Sequence, residues 1–275
     1  MAASAYFRES GSGEALVCLH SSASSSGQWR ALMESFSNRY RVLAADLYGY
    51  GRSPEWPSDR DLLLEDEIEL LAPMLQSAQR FHLIGHSYGG LVALKLALID
   101  PSRVASLILY EPTCFFLLAE RADFDAARRE IAAIREETSR LVDAGDPEAS
   151  ARQFVEYWVG PGAWQKTPDT ARATVIKGMR KVRFEWVNGF DRPFPVDSFS
   201  ALKMPALFLT GSRSTAAARG VVQVLRDRVP HAEVRELPDL GHMGPITHPD
   251  VVNSSVAAFL ERIQGTTRVP RSRRW

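Results

Sequence analysis

The feature that most constrains this chain is a serine between glycines, placed where a predicted strand meets a predicted helix. Phe81 to Ile84 is a short apolar run typical of a fully buried strand, and apolar residues recur at helical spacing from Leu91 to Ile99. The turn between them reads Gly85-His86-Ser87-Tyr88-Gly89. Glycines on either side let a strand reverse directly into a helix around a strained central residue. The pattern predicts that Ser87 sits at the tip of a sharp turn, beside the positive end of the helix.

Strands and helices alternate over much of the remaining chain. This alternation predicts an α/β fold, with a mostly parallel central sheet and helices on both faces. The helices are expected near 28, at 59–77, from about 216 to 229 and from about 250 to 264. The other strands are expected at Ala5 to Glu9, Ala15 to Leu19, Tyr40 to Ala45, Val104 to Tyr110, Ala206 to Thr210 and Ala232 to Leu237.

The alternation stops in one long stretch, residues 115–198. Segments around 119–142, 148–158 and 169–187 have the pattern of amphipathic helices. We therefore predict a core of residues 1–114 and 199–275 that carries a helical cap inserted at 115–198. Four arginines near the end form a small basic tail, residues 266–275, which we expect to be frayed.

Composition excludes several classes of function. Lys plus Arg and Asp plus Glu both number 33, so no global basicity favours a nucleic acid or membrane partner. The first residues show no long apolar run, so neither a secretory signal nor a membrane span is expected, and a cytoplasmic location is the default. Cys18 and Cys114 fall in or just beyond predicted strands and are expected to be buried thiols.

A serine is a poor nucleophile near neutral pH unless a base lies within hydrogen-bond reach. His242 is the best-placed histidine, because it follows Gly241 in the loop after the last predicted strand. His86 adjoins Ser87, but a tight turn should direct its side chain elsewhere. Asp46 follows a predicted strand and is expected to bond its own turn rather than to take part in chemistry.

Four sequence features in this order resemble the α/β-hydrolase fold superfamily. They are the loop His20-Ser21-Ser22, the run Asp46-x-x-Gly49-x-Gly51-x-Ser53, the turn around Ser87, and Gly241-His242. The resemblance implies that Ser87 is the nucleophile and His242 the base and then the acid. It also implies an oxyanion hole formed by the backbone N–H groups of Tyr88 and Ser22, and no metal or organic cofactor.

The sequence departs from the family's pattern in two places. Ser21 stands where the family usually has glycine, and Ser214 stands where it usually has the aspartate of the triad. The alternative acid is Glu111, at the end of the strand after the helix that follows Ser87, which resembles the acid position of some haloalkane dehalogenases. Glu111 as an acid flanking the pocket, and Asp239 as the triad acid, remain alternatives.

These residues predict two-step acyl transfer on a small-molecule substrate. A largely apolar pocket would accept a small or medium ester, a lactone, or a carbon–carbon bond beside a carbonyl. Two other interpretations remain: a cofactor-free perhydrolase of the haloperoxidase type, and a degenerate hydrolase that acts as a ligand receptor, which the serine at position 214 favours. The pocket candidates are His20, Ser21, Phe115, Phe116, Tyr157, Trp158, Trp164 and Trp186. Packing between the cap helices and the core is the alternative role for each aromatic residue.

Overall fold

The computed structural model describes residues 3–57 and 60–267, and a mostly parallel sheet forms its centre. The strands of the described residues are β1 (Phe7–Ser10), β2 (Glu14–Leu19), β3 (Tyr40–Ala45), β4 (Phe81–His86), β5 (Val104–Tyr110), β6 (Ala206–Gly211) and β7 (Glu233–Leu237). Their order across the sheet is β1-β3-β2-β4-β5-β6-β7. β1 runs antiparallel to β3, and every other neighbouring pair is parallel.

The α-helices of the described residues fill the connections. They are α1 (Arg30–Phe36), α2 (Leu64–Leu75), α3 (Tyr88–Ile99), α4 (Asp125–Asp143), α5 (Pro147–Val159), α6 (Ala163–Lys166), α7 (Asp169–Phe190), α8 (Ala216–Arg228), α9 (Gly244–Thr247) and α10 (Pro249–Thr267). Short 3-10 helices occupy Ser26–Trp29, Phe115–Glu120, Ala122–Phe124 and Val196–Ala201.

The sheet is covered on both faces, as β2 illustrates. Val17 and Leu19 belong to a hydrophobic cluster with α2, α3 and α8, whereas Leu16 and Cys18 belong to a second cluster with α1 and α10. Successive strand residues point to opposite faces, so a strand buried on both sides must be apolar throughout. The predicted fold class, a mostly parallel sheet with helices on both faces, is confirmed.

The observed boundaries of β3 and β5 match the predicted ones, but the helix predicted at 59–77 was placed too early. It begins at Leu64, because Leu63 is extended (φ −94°, ψ 160°). The Leu63 N–H donates to the Asp66 carboxylate at 2.8 Å, which closes the first turn of α2. Apolar spacing alone does not reveal this start.

Between β5 and β6 the described chain is helical and contains no strand; we call residues 115–201 the helical insertion. Its helix α7 contacts both α4 and α5, and it also reaches α3 in the core. The last 3-10 helix of this segment extends to Ala201, three residues beyond the predicted boundary. The predicted basic tail lies outside the described residues, apart from the end of α10.

Both cysteines are buried free thiols, as predicted. Burial raises the pKa of the Cys18 and Cys114 thiols, since an apolar interior disfavours the thiolate. Among the helices at 3–57 and 60–267, none has the length and apolar character needed to cross a membrane.

Candidate active site

The turn from β4 into α3 places Ser87 in a strained conformation. Its φ is 55° and its ψ is −120°, and its amide donates to the Tyr110 carbonyl of β5 at 3.0 Å. The glycines are needed for steric reasons. A Cβ on Gly89 would lie 2.4 Å from the carbonyl oxygens of Leu19 and His20, closer than real Cβ contacts come. The close approach between β2 and the turn from β4 into α3 therefore holds Ser87 at the carboxyl edge of the sheet.

His242 lies in the loop after β7, within hydrogen-bond reach of Ser87. Its Nε2 is 3.0 Å from Ser87 Oγ, and its side chain is buried. Two hydrogen bonds to backbone carbonyls fix this loop. His86 Nε2 donates to the His242 carbonyl at 2.8 Å, and the Tyr110 hydroxyl donates to the Gly241 carbonyl at 2.7 Å. The imidazole is thus held by its own backbone as well as by its ring contacts.

Glu111 reaches the opposite ring nitrogen of His242. The distance from its Oε2 to His242 Nδ1 is 2.6 Å. Its other oxygen, Oε1, accepts from the Thr210 hydroxyl at 2.7 Å and from the Gly211 N–H at 2.8 Å. A carboxylate at this position makes Nδ1 the protonated nitrogen of the imidazole, which leaves Nε2 free to accept the Ser87 proton.

The residues at the other positions considered for the triad acid make different contacts. The Asp239 carboxylate is exposed and pairs with Arg213 at 2.7 Å. Ser214 is half-buried in the turn before α8, and its N–H donates to the Gly211 carbonyl. Asp46 accepts from the backbone N–H groups of Ser26 and Arg52, so it ties two loops together, in keeping with the expected structural role.

The loop after β2 accommodates a serine where the family pattern has glycine. The positive φ of this loop is at Ala23 (51°), so Ser21 needs no left-handed conformation. Gln28 holds Ser21 from the following turn: its Oε1 accepts from both the Ser21 N–H and the Ser21 hydroxyl, at 3.1 and 2.9 Å. The Gln28 Nε2 donates to His86 Nδ1 at 3.1 Å. Gln28 therefore connects this loop to the turn that carries Ser87.

A cavity of about 670 Å³ opens in front of Ser87 and His242. Its wall combines Ser21 to Ser25 with apolar residues of the helical insertion and of the loop before α9. Trp158 of α5 stacks on the His242 ring, with centroids 4.0 Å apart and planes 26° apart. A largely apolar wall around a few polar groups is typical of a small-molecule site.

The predicted pocket residues divide into two groups. Ser21 and Trp158 lie on the wall of this cavity, as does Ser22, which was predicted as a donor of the oxyanion hole. The other candidates do not line it, because their side chains are engaged in packing: His20, Phe115, Trp164 and Trp186 are buried, and Phe116 and Tyr157 are partly buried. Phe115, for example, packs against the rings of Trp158, Trp186 and Phe190.

A family model described as the Alpha/beta hydrolase family matches residues 16–255. The chain belongs to this family. The predicted fold and the prediction that the chain is a hydrolase enzyme are thereby confirmed.

Two curated relatives of this α/β hydrolase match nearly its whole length. It is 27% identical over 260 residues to the pimeloyl-[acyl-carrier protein] methyl ester esterase of Nitrosomonas europaea, covering 90% of this chain and 96% of the relative. It is 29% identical over 266 residues to the putative carbamate hydrolase RutD of Variovorax paradoxus, covering 91% and 93%. The enol-lactonase of Burkholderia xenovorans LB400 has the same fold, with a TM-score of 0.75, 18% identity, and coverage of 94% and 96%.

Several residues of the α/β hydrolase's site had no signal in the sequence. Gln28 lies in a short turn without a motif, and Thr113, Phe154 and Glu185 approach Ser87 from distant parts of the chain. In the ranges 3–57 and 60–267, no three His, Cys, Asp or Glu side chains are grouped as metal ligands.

Burial of neutral histidines gives the α/β hydrolase a predicted sensitivity to acid. His20 donates from Nδ1 to the Ser21 carbonyl and accepts at Nε2 from the Leu47 N–H, and burial lowers its pKa to about 4. The unfolded chain binds a proton near pH 6.5, whereas the folded chain does not until about pH 4. Stability is therefore full above the unfolded pKa and falls as the pH drops. Because of His20, we expect the free energy of unfolding to be about 2 kcal/mol lower at about pH 5 than at about pH 7.5.

Urea unfolding of the wild type and of His20→Gln at both pH values measures this effect. The variant should show the smaller pH dependence, because glutamine carries no titratable group. His248→Gln, at an exposed position, is the matched control and should keep the wild-type dependence. If the free energy of unfolding changed equally with pH in the wild type and in His20→Gln, His20 would not be the source of the acid sensitivity.

Proposed function

We propose that this α/β hydrolase is a serine esterase that works through an acyl-enzyme on Ser87. The observation that carries this proposal is the continuous contact from Ser87 Oγ to His242 Nε2 at 3.0 Å and from His242 Nδ1 to Glu111 Oε2 at 2.6 Å. The names of the two curated relatives, an ester esterase and a carbamate hydrolase, support cleavage at a carbonyl of ester type.

The first half of the reaction forms the acyl-enzyme. Ser87 Oγ attacks the ester carbonyl while His242 Nε2 takes its proton, and Glu111 stabilises the resulting imidazolium. The tetrahedral intermediate collapses as His242 returns this proton to the departing alkoxide, which leaves as an alcohol. In the second half, water attacks the acyl group with His242 again as the base, and Ser87 leaves with the returned proton.

The negative oxygen of the tetrahedral intermediate needs donors that are already in place. Tyr88 is the first residue of helix α3, so its N–H lies at the positive end of that helix. Ser22 lies on the cavity wall together with Ser87. We assign the oxyanion hole to these two backbone N–H groups, aided by the positive end of α3. Gln28 supports the second donor, since it holds Ser21, the residue before it.

The cavity suits a small or medium, largely apolar ester or lactone. A volume of about 670 Å³ accommodates a compact molecule, and its wall is mainly apolar. The predicted cap, residues 115–198, supplies much of this wall, including Trp158. The contact between Glu111 and His242 supports a hydrolase over a degenerate receptor, because it supplies a carboxylate despite Ser214.

Labelling with a serine-reactive phosphonate tests this proposal. We expect rapid formation of one covalent adduct on Ser87, identified by peptide mass spectrometry, because the probe needs an activated nucleophile. Untreated protein from the same preparation should release p-nitrophenol from a short-chain acyl ester without added peroxide. If the probe does not react and the protein binds esters without turnover, the receptor would be favoured. Turnover that requires peroxide would favour the perhydrolase.

A further inference from the structure

A small recess beside Ser87 contains two buried polar atoms without partners. Its volume is about 10 Å³, and its wall includes Ser22, Ser87, Thr113 and Glu185. Glu185 is 4% exposed and Thr113 is 7% exposed. Within the described part of the chain, neither Glu185 Oε2 nor Thr113 Oγ1 has a hydrogen-bond partner. A buried polar atom without a hydrogen bond destabilises the folded protein unless a ligand supplies the missing partner.

The rest of Glu185 is fully engaged, so only one of its oxygens is available to the recess. Its Oε1 accepts from the Tyr50 hydroxyl at 2.9 Å and lies 3.2 Å from Lys181 Nζ. Lys181 also pairs with the buried Glu67 at 2.8 Å. These contacts hold the Glu185 carboxylate in place through its Oε1.

The charges around Lys181 favour a hydrogen-bond donor in the recess. One ammonium faces two carboxylates, those of Glu67 and Glu185. The phenols of Tyr50 and Tyr88 that bond these carboxylates are donors and carry no charge in this arrangement. Glu185 Oε2 is nevertheless an acceptor left without a donor, although Lys181 Nζ lies near the Oε1 of the same carboxylate.

We propose that the recess binds a hydroxyl or ammonium group carried by the acyl part of the substrate, near the scissile carbonyl. This inference rests on the proposed function of Ser87. Ser22 and Ser87 line both the recess and the large cavity, so an ester whose carbonyl meets Ser87 directs a short acyl substituent towards Glu185. The recess has room for one water-sized group. A substrate hydroxyl would donate to Glu185 and accept from Thr113, which satisfies both atoms.

Three matched esters test the proposal: methyl butyrate, methyl 3-hydroxybutyrate and methyl 3-aminobutyrate. Hydrolysis is followed by proton release in the wild type, Thr113→Val and Glu185→Met. We expect the wild type to prefer at least one donor-bearing ester over methyl butyrate by about tenfold or more in kcat/KM. Each variant should lose most of this preference, measured as the ratio of kcat/KM for the donor-bearing ester to kcat/KM for methyl butyrate.

Thr113→Val is the more informative variant, because valine keeps the shape of threonine and leaves the contacts of Glu185 with Tyr50 and Lys181 unchanged. Thr170→Val makes the same substitution at an exposed position of α7 and should keep the wild-type preference. Equal rates for all three esters in the wild type, or equal losses for all three in both variants, would overturn the inference.

Ligand-observed NMR with Ser87→Ala separates this inference from the proposed function. The variant should bind a donor-bearing ester more tightly than methyl butyrate, and adding Thr113→Val should abolish the difference. Selective binding without wild-type hydrolysis would refute the esterase proposal and keep the recess assignment. Hydrolysis without selectivity for a donor, in binding and in kcat/KM, would refute the recess assignment and keep the esterase proposal.

Discussion

Ser87→Ala is expected to lower kcat/KM for ester hydrolysis by at least about a thousandfold, because no other group can form the acyl-enzyme. The change removes only the hydroxyl that contacts His242, and alanine is small enough for the turn between Gly85 and Gly89. Its positive φ of 55° persists in the variant, so the fold is retained at a modest cost in stability. The measurement is release of p-nitrophenol from a short-chain acyl ester, with circular dichroism to verify folding.

A second substitution makes this test more specific. In the proposed mechanism the nucleophile and the base act as one unit, so His242→Ala should lower kcat/KM about as much as Ser87→Ala, and the double variant should lose little more. Ser102→Ala, at an exposed position after α3, is the matched control and should retain full activity. Losses that multiply in the double variant would mean that the two residues act independently, contrary to the proposed mechanism.

The turn around Ser87 was predictable because its sequence signal is local. A buried strand, two obligatory glycines and a helix follow one another within a few residues, and the close approach of Gly89 to β2 explains why the glycines are needed. β3 and β5 were predictable for a similar reason, since strands buried on both faces must be apolar throughout. The start of α2 depends instead on a single capping contact, between Asp66 and Leu63.

Contacts between distant parts of the chain could not be predicted in this way. The recess brings Thr113 and Glu185 to Ser87 from the loop after β5 and from α7. Nothing in the local pattern of α7 distinguishes Glu185 from an acidic residue on a solvated face. The same limit applies to the aromatic residues: Trp158 lines the cavity and the buried Trp164 does not, although both were equally good candidates.

Glu111 was only partly predictable, because its position follows from a local strand pattern but its contact with His242 does not. The end of β5 lies at the same sheet edge as the turn around Ser87, so the strand pattern made Glu111 a candidate. Its contact with His242, however, depends on the geometry of β6, since Thr210 and Gly211 bind the other carboxylate oxygen. The sequence alone therefore left Asp239 as an alternative.

Glu111→Gln is expected to lower kcat/KM by about a thousandfold or more while leaving the fold intact. Thr210 and Gly211 both donate to Oε1, and the amide oxygen of glutamine can keep these two bonds. The amide NH₂ then faces His242 Nδ1 and must donate to it. Nδ1 becomes the acceptor, so the proton moves to Nε2 and the ring can no longer accept the Ser87 proton. The p-nitrophenol assay measures the loss, and urea unfolding verifies that stability is retained.

Asp239→Asn provides the matched control for this prediction. It makes the same carboxylate-to-amide change in the loop of His242, but at an exposed side chain paired with Arg213. Asparagine also tolerates the positive φ of 62° at this position, so its activity should stay within about twofold of the wild type. Adding Ser214→Asp to Glu111→Gln asks whether a carboxylate at the family's usual position can restore the tautomer. Full activity in Glu111→Gln together with a large loss in Asp239→Asn would refute Glu111 as the acid, because only the residue that orients His242 can be sensitive to this exchange.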